Sequence, residues 1–207
     1  MTTQRAPRPL GAAIGRGLLW GLLLAAIVTL ILAAWSRRPG QQELPDFGAA
    51  PSFLLTDQRS APFGSEELSG NPWIVDFIFT RCTLACPAMS RRMARLDSAL
   101  PPTITLLSIS IDPEHDRPKV LASYAEKLSA SPRWHFLTGP SQDIATLVRE
   151  GFKLAVDRNP DLPPGEAIVH SNRFVLVDSE GRVRGYYNSS SQEELARLES
   201  AARSLSR

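Results

Sequence analysis

The sequence predicts an α/β domain, a central sheet flanked by helices, behind one apolar N-terminal segment. Three observations lead there. Continuous apolar runs of strand length alternate with helix-like stretches from residue 53 to residue 151. A hairpin signal and a closing amphipathic stretch come next, which together argue a sheet covered by helices on both faces. The remaining feature is residues 17–35, which carry no charge at all.

Gly17 to Trp35 is a run of 19 residues, mostly Leu, Ala, Ile and Val, and a spanning helix needs roughly 20. Arg5, Arg8 and Arg16 precede it, and Arg37 and Arg38 come after it. The excess on the N-terminal side orients the N-terminus inside and the body outside. A cleaved signal peptide carries a shorter apolar region of about 7–15 residues, and Ala33-Ala34-Trp35-Ser36 is a poor cleavage site. The expected organisation is a cytoplasmic terminus over residues 1–16, a transmembrane anchor over 17–35, a linker over 36–50 and one domain over 51–207. The chain is then a single-pass inner-membrane protein with its soluble domain in the periplasm, where disulfides persist.

Beyond residue 40 the chain carries 18 basic and 21 acidic residues. No basic stripe with interleaved aromatics occurs, which argues against nucleic acid as a partner. The segment from Gln41 to Pro51 is polar and holds two prolines, as linkers do.

Within the body, Phe53 to Thr56 reads as a short strand and Glu66 to Gly70 as a turn. Trp73 to Phe79 is a buried strand by its continuous apolar character. After Pro87, Met89, Met93, Leu96 and Leu100 recur at helical spacing. Ile104 to Ile111 is a second buried strand. Lys119 to Leu128 reads as a helix opened by Asp116 as its cap. Trp134 to Leu137 is a short strand, and Gln142 to Gly151 a helix. Arg173 to Val177 and Arg182 to Tyr187 flank Asp178-Ser179-Glu180-Gly181, a hairpin signal with glycine at the turn. Gln192 to Leu205 closes the chain as an amphipathic helix, and Asn159 to Gly165 is a long loop just before His170.

The chemistry centres on Cys82 and Cys86, the only two cysteines in 207 residues. They sit at a strand–loop–helix corner. Pro87 suits the first turn of a helix, so Cys86 stands at a helix N-terminus, where the dipole favours thiolate. A disulfide closing so short a loop gains little from closure, which weighs against a purely structural bridge. The spacer Thr83-Leu84-Ala85 is one residue longer than the usual redox motif. It allows a disulfide, and it also allows both sulfurs to face one soft metal ion. A cluster needs more cysteines and structural zinc needs four ligands, so two thiolates with one imidazole suit copper better.

His115 lies in a polar turn and reads as a solvated loop histidine, and His135 lies in a strand and reads as locally satisfied. His170 lies at a loop–strand junction and is a candidate ligand. Met89 and Met93 share helical spacing with Leu96 and read as core. Arg81, Arg91, Arg92 and Arg95 form either a solvated face or a surface for an acidic partner. Asp76 interrupts an apolar strand, so its carboxylate is a candidate for burial with a raised pKa and for accepting a thiol proton.

Four ordered motifs resemble Sco/SenC proteins: Phe77-Ile78-Phe79-Thr80-Arg81-Cys82 through Cys86-Pro87, Ser110 through Pro118, Phe136-Leu137-Thr138-Gly139, and Val169-His170-Ser171. The resemblance covers about residues 50 to 190. It implies a thioredoxin-like fold and a membrane-tethered copper-binding protein that helps assemble the dinuclear copper centre of cytochrome c oxidase. Carried over, the copper ligands are Cys82, Cys86 and His170, binding Cu(I) and Cu(II). Asp76 also stands six residues before Cys82, at the offset of the buried aspartate in thioredoxins. The chain departs from the family pattern at Thr83-Leu84-Ala85, where polar residues are frequent, and at Val169, where an acidic residue often stands.

The chain therefore reads as a metallochaperone rather than an enzyme. Its expected partner is the oxidase subunit that carries the dinuclear copper centre, or another copper chaperone. The alternative is a thiol–disulfide reductase acting on the cysteines of a copper-site partner, with Cys82 and Cys86 as the redox pair.

Overall fold

The computed structural model describes residues 20–30, 44–83, 85–159 and 161–206. Of the expected anchor over residues 17–35, residues 20–30 form an exposed helix, α1, and the rest lies outside the described residues. Among the described residues, no helix is long and apolar enough to cross a membrane. Met1–Glu43 and Leu44–Arg207 are separate units, and the second carries both cysteines and His170.

The centre of this second unit is a mixed seven-stranded sheet in the order β2-β1-β5-β4-β3-β8-β9. The strands are β1 (Leu54–Asp57), β2 (Pro62–Gly64), β3 (Trp73–Ile78), β4 (Thr105–Ser110), β5 (Trp134–Thr138), β8 (Arg173–Val177) and β9 (Val183–Asn188). The middle strands β3, β4 and β5 run parallel, and β1 and β8 flank them antiparallel. Every residue of β3 is buried. That explains its unbroken apolar run, since a strand covered on both faces has no polar side to alternate with. The helices are α2 (Cys86–Ala99), α3 (Pro118–Lys127), α4 (Ser141–Thr146) and α5 (Gln192–Leu205). The α/β architecture read from the sequence is the one found.

A short two-stranded ribbon, β6 (Val156–Arg158) with β7 (Ile168–His170), stands apart from the main sheet. It occupies ground where the sequence suggested only a loop. The helix expected over residues 142–151 begins as α4 and loosens into a π-helical turn over Leu147–Gly151. The helix α3 is capped by Arg117, with Pro118 in its first turn, and not by Asp116 as expected. The Asp116 carboxylate instead accepts hydrogen bonds from Thr80 and Ser110.

Of the segment expected to link anchor and body, residues 44–50 run beside β9. Phe47 N–H donates to the Val183 carbonyl at 2.9 Å and Ala50 N–H to the Gly181 carbonyl at 2.7 Å. Gly181 has φ +74, the left-handed conformation that the β8–β9 turn requires and glycine adopts without strain. Asp178 stabilises that turn by accepting from the N–H groups of Glu180 and Arg182. Arg133, just before β5, donates to the carbonyls of Asp97, Leu100, Pro101 and Ile104. It thereby satisfies groups that the end of α2 would leave unpaired. These contacts fix α2 against the sheet, and α2 begins with Cys86.

Candidate metal and redox centre

The strand β3 ends at Ile78, and the chain turns through Thr80 and Arg81 into the cysteine loop. Cys82 N–H donates to the Phe79 carbonyl at 3.2 Å. Cys86 is the first residue of α2, with Pro87 next. Both cysteines are reduced, with no disulfide between them. Cys86 is wholly buried and Cys82 is 8% exposed. The two side chains hydrogen-bond to each other, and Cys86 also bonds to the Phe79 backbone.

The helix start does not make Cys86 a ready thiolate. Burial pushes the thiol far above its ordinary range, and the adjacent Cys82 and the Asp76 carboxylate add to the rise. The Phe79 backbone bond opposes it without reversing it. Desolvation of a full charge outweighs the partial charge of a helix end here. Cys86 is therefore a protonated thiol that must lose its proton to bind a metal.

Two buried carboxylates hold the loop in place. Asp116 accepts from the Thr80 N–H at 2.9 Å, from the Thr80 hydroxyl at 2.5 Å and from the Ser110 hydroxyl at 2.6 Å. Asp112 is fully buried and takes the Arg81 guanidinium through Nε at 3.0 Å and a terminal nitrogen at 2.5 Å. Ser110 Oγ also accepts from the Asp112 N–H at 3.0 Å. Arg81 is thus engaged inside the fold and is not part of a free basic surface. Sequence reasoning missed this clamp. The signal it left was polar residues at Ser108, Ser110, Asp112 and Asp116 where an apolar strand ends.

Asp76 is buried, as expected from its place in an apolar strand. Its neighbour across the parallel ladder is Ser108, whose hydroxyl donates to Oδ1 at 2.6 Å. The Trp134 indole N–H donates to Ser108 Oγ at 3.0 Å. Oδ2 has no hydrogen-bond partner among the described residues. Burial lifts the pKa from 3.8 to about 7, with Ser108 pulling the other way. The Asp76 charge is felt at Cys86 and at Tyr124.

His170 ends β7, its backbone paired with Val156. Its side chain lies outside the described residues, as does Leu84 between the cysteines. The hairpin that carries His170 is tied to the cysteine loop by a backbone bond, Thr83 N–H to the Gly165 carbonyl at 3.3 Å. The approach is close. A Cβ on Gly165 would stand 2.9 Å from the Arg81 carbonyl oxygen and 3.0 Å from Thr83 Cγ2. Among the described residues, no three His, Cys, Asp or Glu side chains gather in a way that could hold a metal.

His115 is exposed in the turn after β4. His135 lies 4.3 Å from the Phe63 ring, with Nδ1 3.2 Å from Arg59. Met89 and Met93 are fully buried core residues.

The model of the SCO1/SenC family matches residues 41–203. The SCO1 protein homologue of Bacillus subtilis is 34% identical over 175 residues, covering 80% of this chain and 86% of that protein. A protein of Stutzerimonas stutzeri named for copper binding is 30% identical over 177 residues, covering 80% and 84%. The solved structure of BsSco superposes with a TM-score of 0.66 at 29% identity, covering 79% of this chain and 98% of that one. BsSco is a member of the Sco family of cytochrome c oxidase assembly proteins and has a disulfide switch. The body of the present chain has the thioredoxin-like α/β fold that the resemblance implied.

Proposed function

The chain belongs to the SCO1/SenC family, and we propose on that premise that it binds copper through Cys82, Cys86 and His170 and delivers it for assembly of the dinuclear copper centre of cytochrome c oxidase. The observation that carries the reading is the pair of reduced, mutually hydrogen-bonded thiols at the start of α2. The tie from their loop to the hairpin ending in His170 supports the third ligand. Two thiolates suit Cu(I), and an added imidazole suits Cu(II) as well. The Stutzerimonas relative named for copper binding and the place of BsSco among oxidase assembly proteins point the same way. Residues 17–35 anchor the chain in the inner membrane with the body in the periplasm, a reading that rests on the uncharged run and its arginine flanks.

Metal binding takes thiolate, so it proceeds with loss of the Cys86 proton and affinity weakens as pH falls. Transfer then occurs by exchange of thiolate ligands with a partner's soft donors. A Cu(I) titration against a chromophoric chelator tests the proposal. The reduced protein takes up one Cu(I) per chain, and Cys82→Ser and Cys86→Ser each remove it. Retention of tight Cu(I) in either variant refutes the assignment.

A second reading is supported by the disulfide switch of BsSco and by the contact between the two thiols. In it the reduced pair gives two electrons to a partner's disulfide. Cys82, the more exposed, attacks one partner sulfur, and Cys86 then displaces the partner thiol as the Cys82–Cys86 disulfide forms.

A further inference from the structure

A cleft of about 400 Å³ opens beside the cysteine loop, lined by Thr80, His115, Lys119, Ser123, Tyr124 and Lys127 among others. That volume lies within the roughly 300–1,000 Å³ of ordinary ligand sites. Tyr124 connects it to α2, the helix that begins with Cys86. Tyr124 hydroxyl is 2.9 Å from Ser90 hydroxyl on α2, and the charges of Cys86, Asp76 and Cys82 are all felt at that tyrosine.

The cleft is a basic exception on an acidic body. No Asp or Glu lines it. Lys119, Ser123 and Lys127 fall at intervals of four on α3, along one face. Both lysines are exposed, and among the described residues neither enters an ion pair. The one carboxylate a helical turn from either lysine is Asp116, before Lys119, and it is buried and held by Thr80 and Ser110. The two lysines therefore present charge that the fold leaves uncompensated.

We infer that this cleft is the docking groove for an acidic polypeptide segment of the protein that exchanges copper with Cys82 and Cys86. This deepens the copper-delivery reading and rests on it for the partner's role. Spacing selects a peptide over a small anion. Eight residues of helix place Lys119 and Lys127 about 12 Å apart along the axis, further than one phosphate spans. An extended chain rises about 3.3 Å per residue, so carboxylates four residues apart match the two lysines. The hydroxyls of Ser123 and Tyr124 supply further hydrogen-bonding groups between them. Such pairing steers encounter and fixes register more than it adds affinity, which suits a partner that must leave after transfer.

The test uses the full chain in a non-ionic detergent and a fluorescent ten-residue peptide of Ser and Gly with Glu at every fourth position. Anisotropy at low salt should show binding that falls about tenfold in the variant Lys119→Glu/Lys127→Glu, and likewise on raising salt, since exposed charges are screened. The control Lys153→Glu, on another face, should bind as the parent does. Circular dichroism checks that each variant is folded. The variant Cys82→Ser/Cys86→Ser should still bind the peptide, so the groove is judged independently of copper. Unchanged peptide binding after the double reversal overturns the inference. So does equal loss in the Lys153 control, or peptide displacement by millimolar phosphate or by vesicles containing phosphatidylglycerol at matched ionic strength.

Discussion

Thr83, inside the cysteine loop, donates its backbone N–H to the carbonyl of Gly165 at 3.3 Å. This bond joins the loop that carries both thiols to the hairpin that ends in His170, across some eighty residues of sequence. Gly165 makes it possible, because any Cβ there would press on the Arg81 backbone. Contacts under 3.0 Å to backbone are not relieved by rotating a side chain, so the loop must shift.

Gly165→Val should therefore open the cysteine loop while leaving the sheet intact. The expected outcome is faster labelling of Cys82 and Cys86 by a thiol reagent, by about tenfold. The free energy of unfolding should change by no more than a surface-loop change causes, about 0.5 kcal/mol. Labelling at the parent rate shows that the hairpin does not restrain the loop.

The clamp on Asp116 predicts a different pattern. Thr80→Val removes a hydroxyl donor and leaves a buried carboxylate oxygen short of a partner. Losing a buried charge-assisted hydrogen bond costs about 1–3 kcal/mol. Urea unfolding should report that loss, and Thr80→Ser, which keeps the hydroxyl, should recover most of it.

Asp76 makes stability fall with rising pH. Its carboxyl has a pKa of about 7 in the fold against 3.8 in the open chain. Between those values the folded protein holds a proton that the unfolded chain has lost, so stability is full below about pH 4 and declines through about pH 7. The shift corresponds to at most about 4 kcal/mol at pH 8. Asp76→Asn retains an oxygen for the Ser108 hydroxyl and has no charge to bury. It should be more stable than the parent at pH 8, and the gap should close at pH 4. A gap that does not depend on pH contradicts the buried, titrating carboxyl.

Much of this was legible in the residues. The strand Arg173–Val177 and the helix Gln192–Leu205 stand where periodicity and turn chemistry put them. Ser191 caps that helix by accepting from Glu194 N–H, a signal that sequence carries locally. The ribbon β6–β7 was not legible. Its strands are three residues each, too short for a period, and the prolines between them read as loop. The strand β2 opens on Pro62 and was hidden for the same reason. At the site, the cysteines announced themselves by position. The Thr80–Asp116 clamp joins residues 36 apart, and no local pattern encodes such a contact. The state of Cys86 was misjudged because helix position is visible in sequence and complete burial is not.

The central claim is one copper held by Cys82, Cys86 and His170. X-ray absorption at the copper edge, on reduced protein loaded with one equivalent of Cu(II) or Cu(I), counts the donor atoms directly. Two sulfur donors are expected in both states, with an imidazole signature in the Cu(II) form that His170→Ala abolishes. The variant should also lose Cu(II) affinity by at least about tenfold more than Cu(I) affinity, since imidazole matters more to the harder ion. Copper bound without sulfur, or an imidazole signature unchanged in His170→Ala, contradicts the claim.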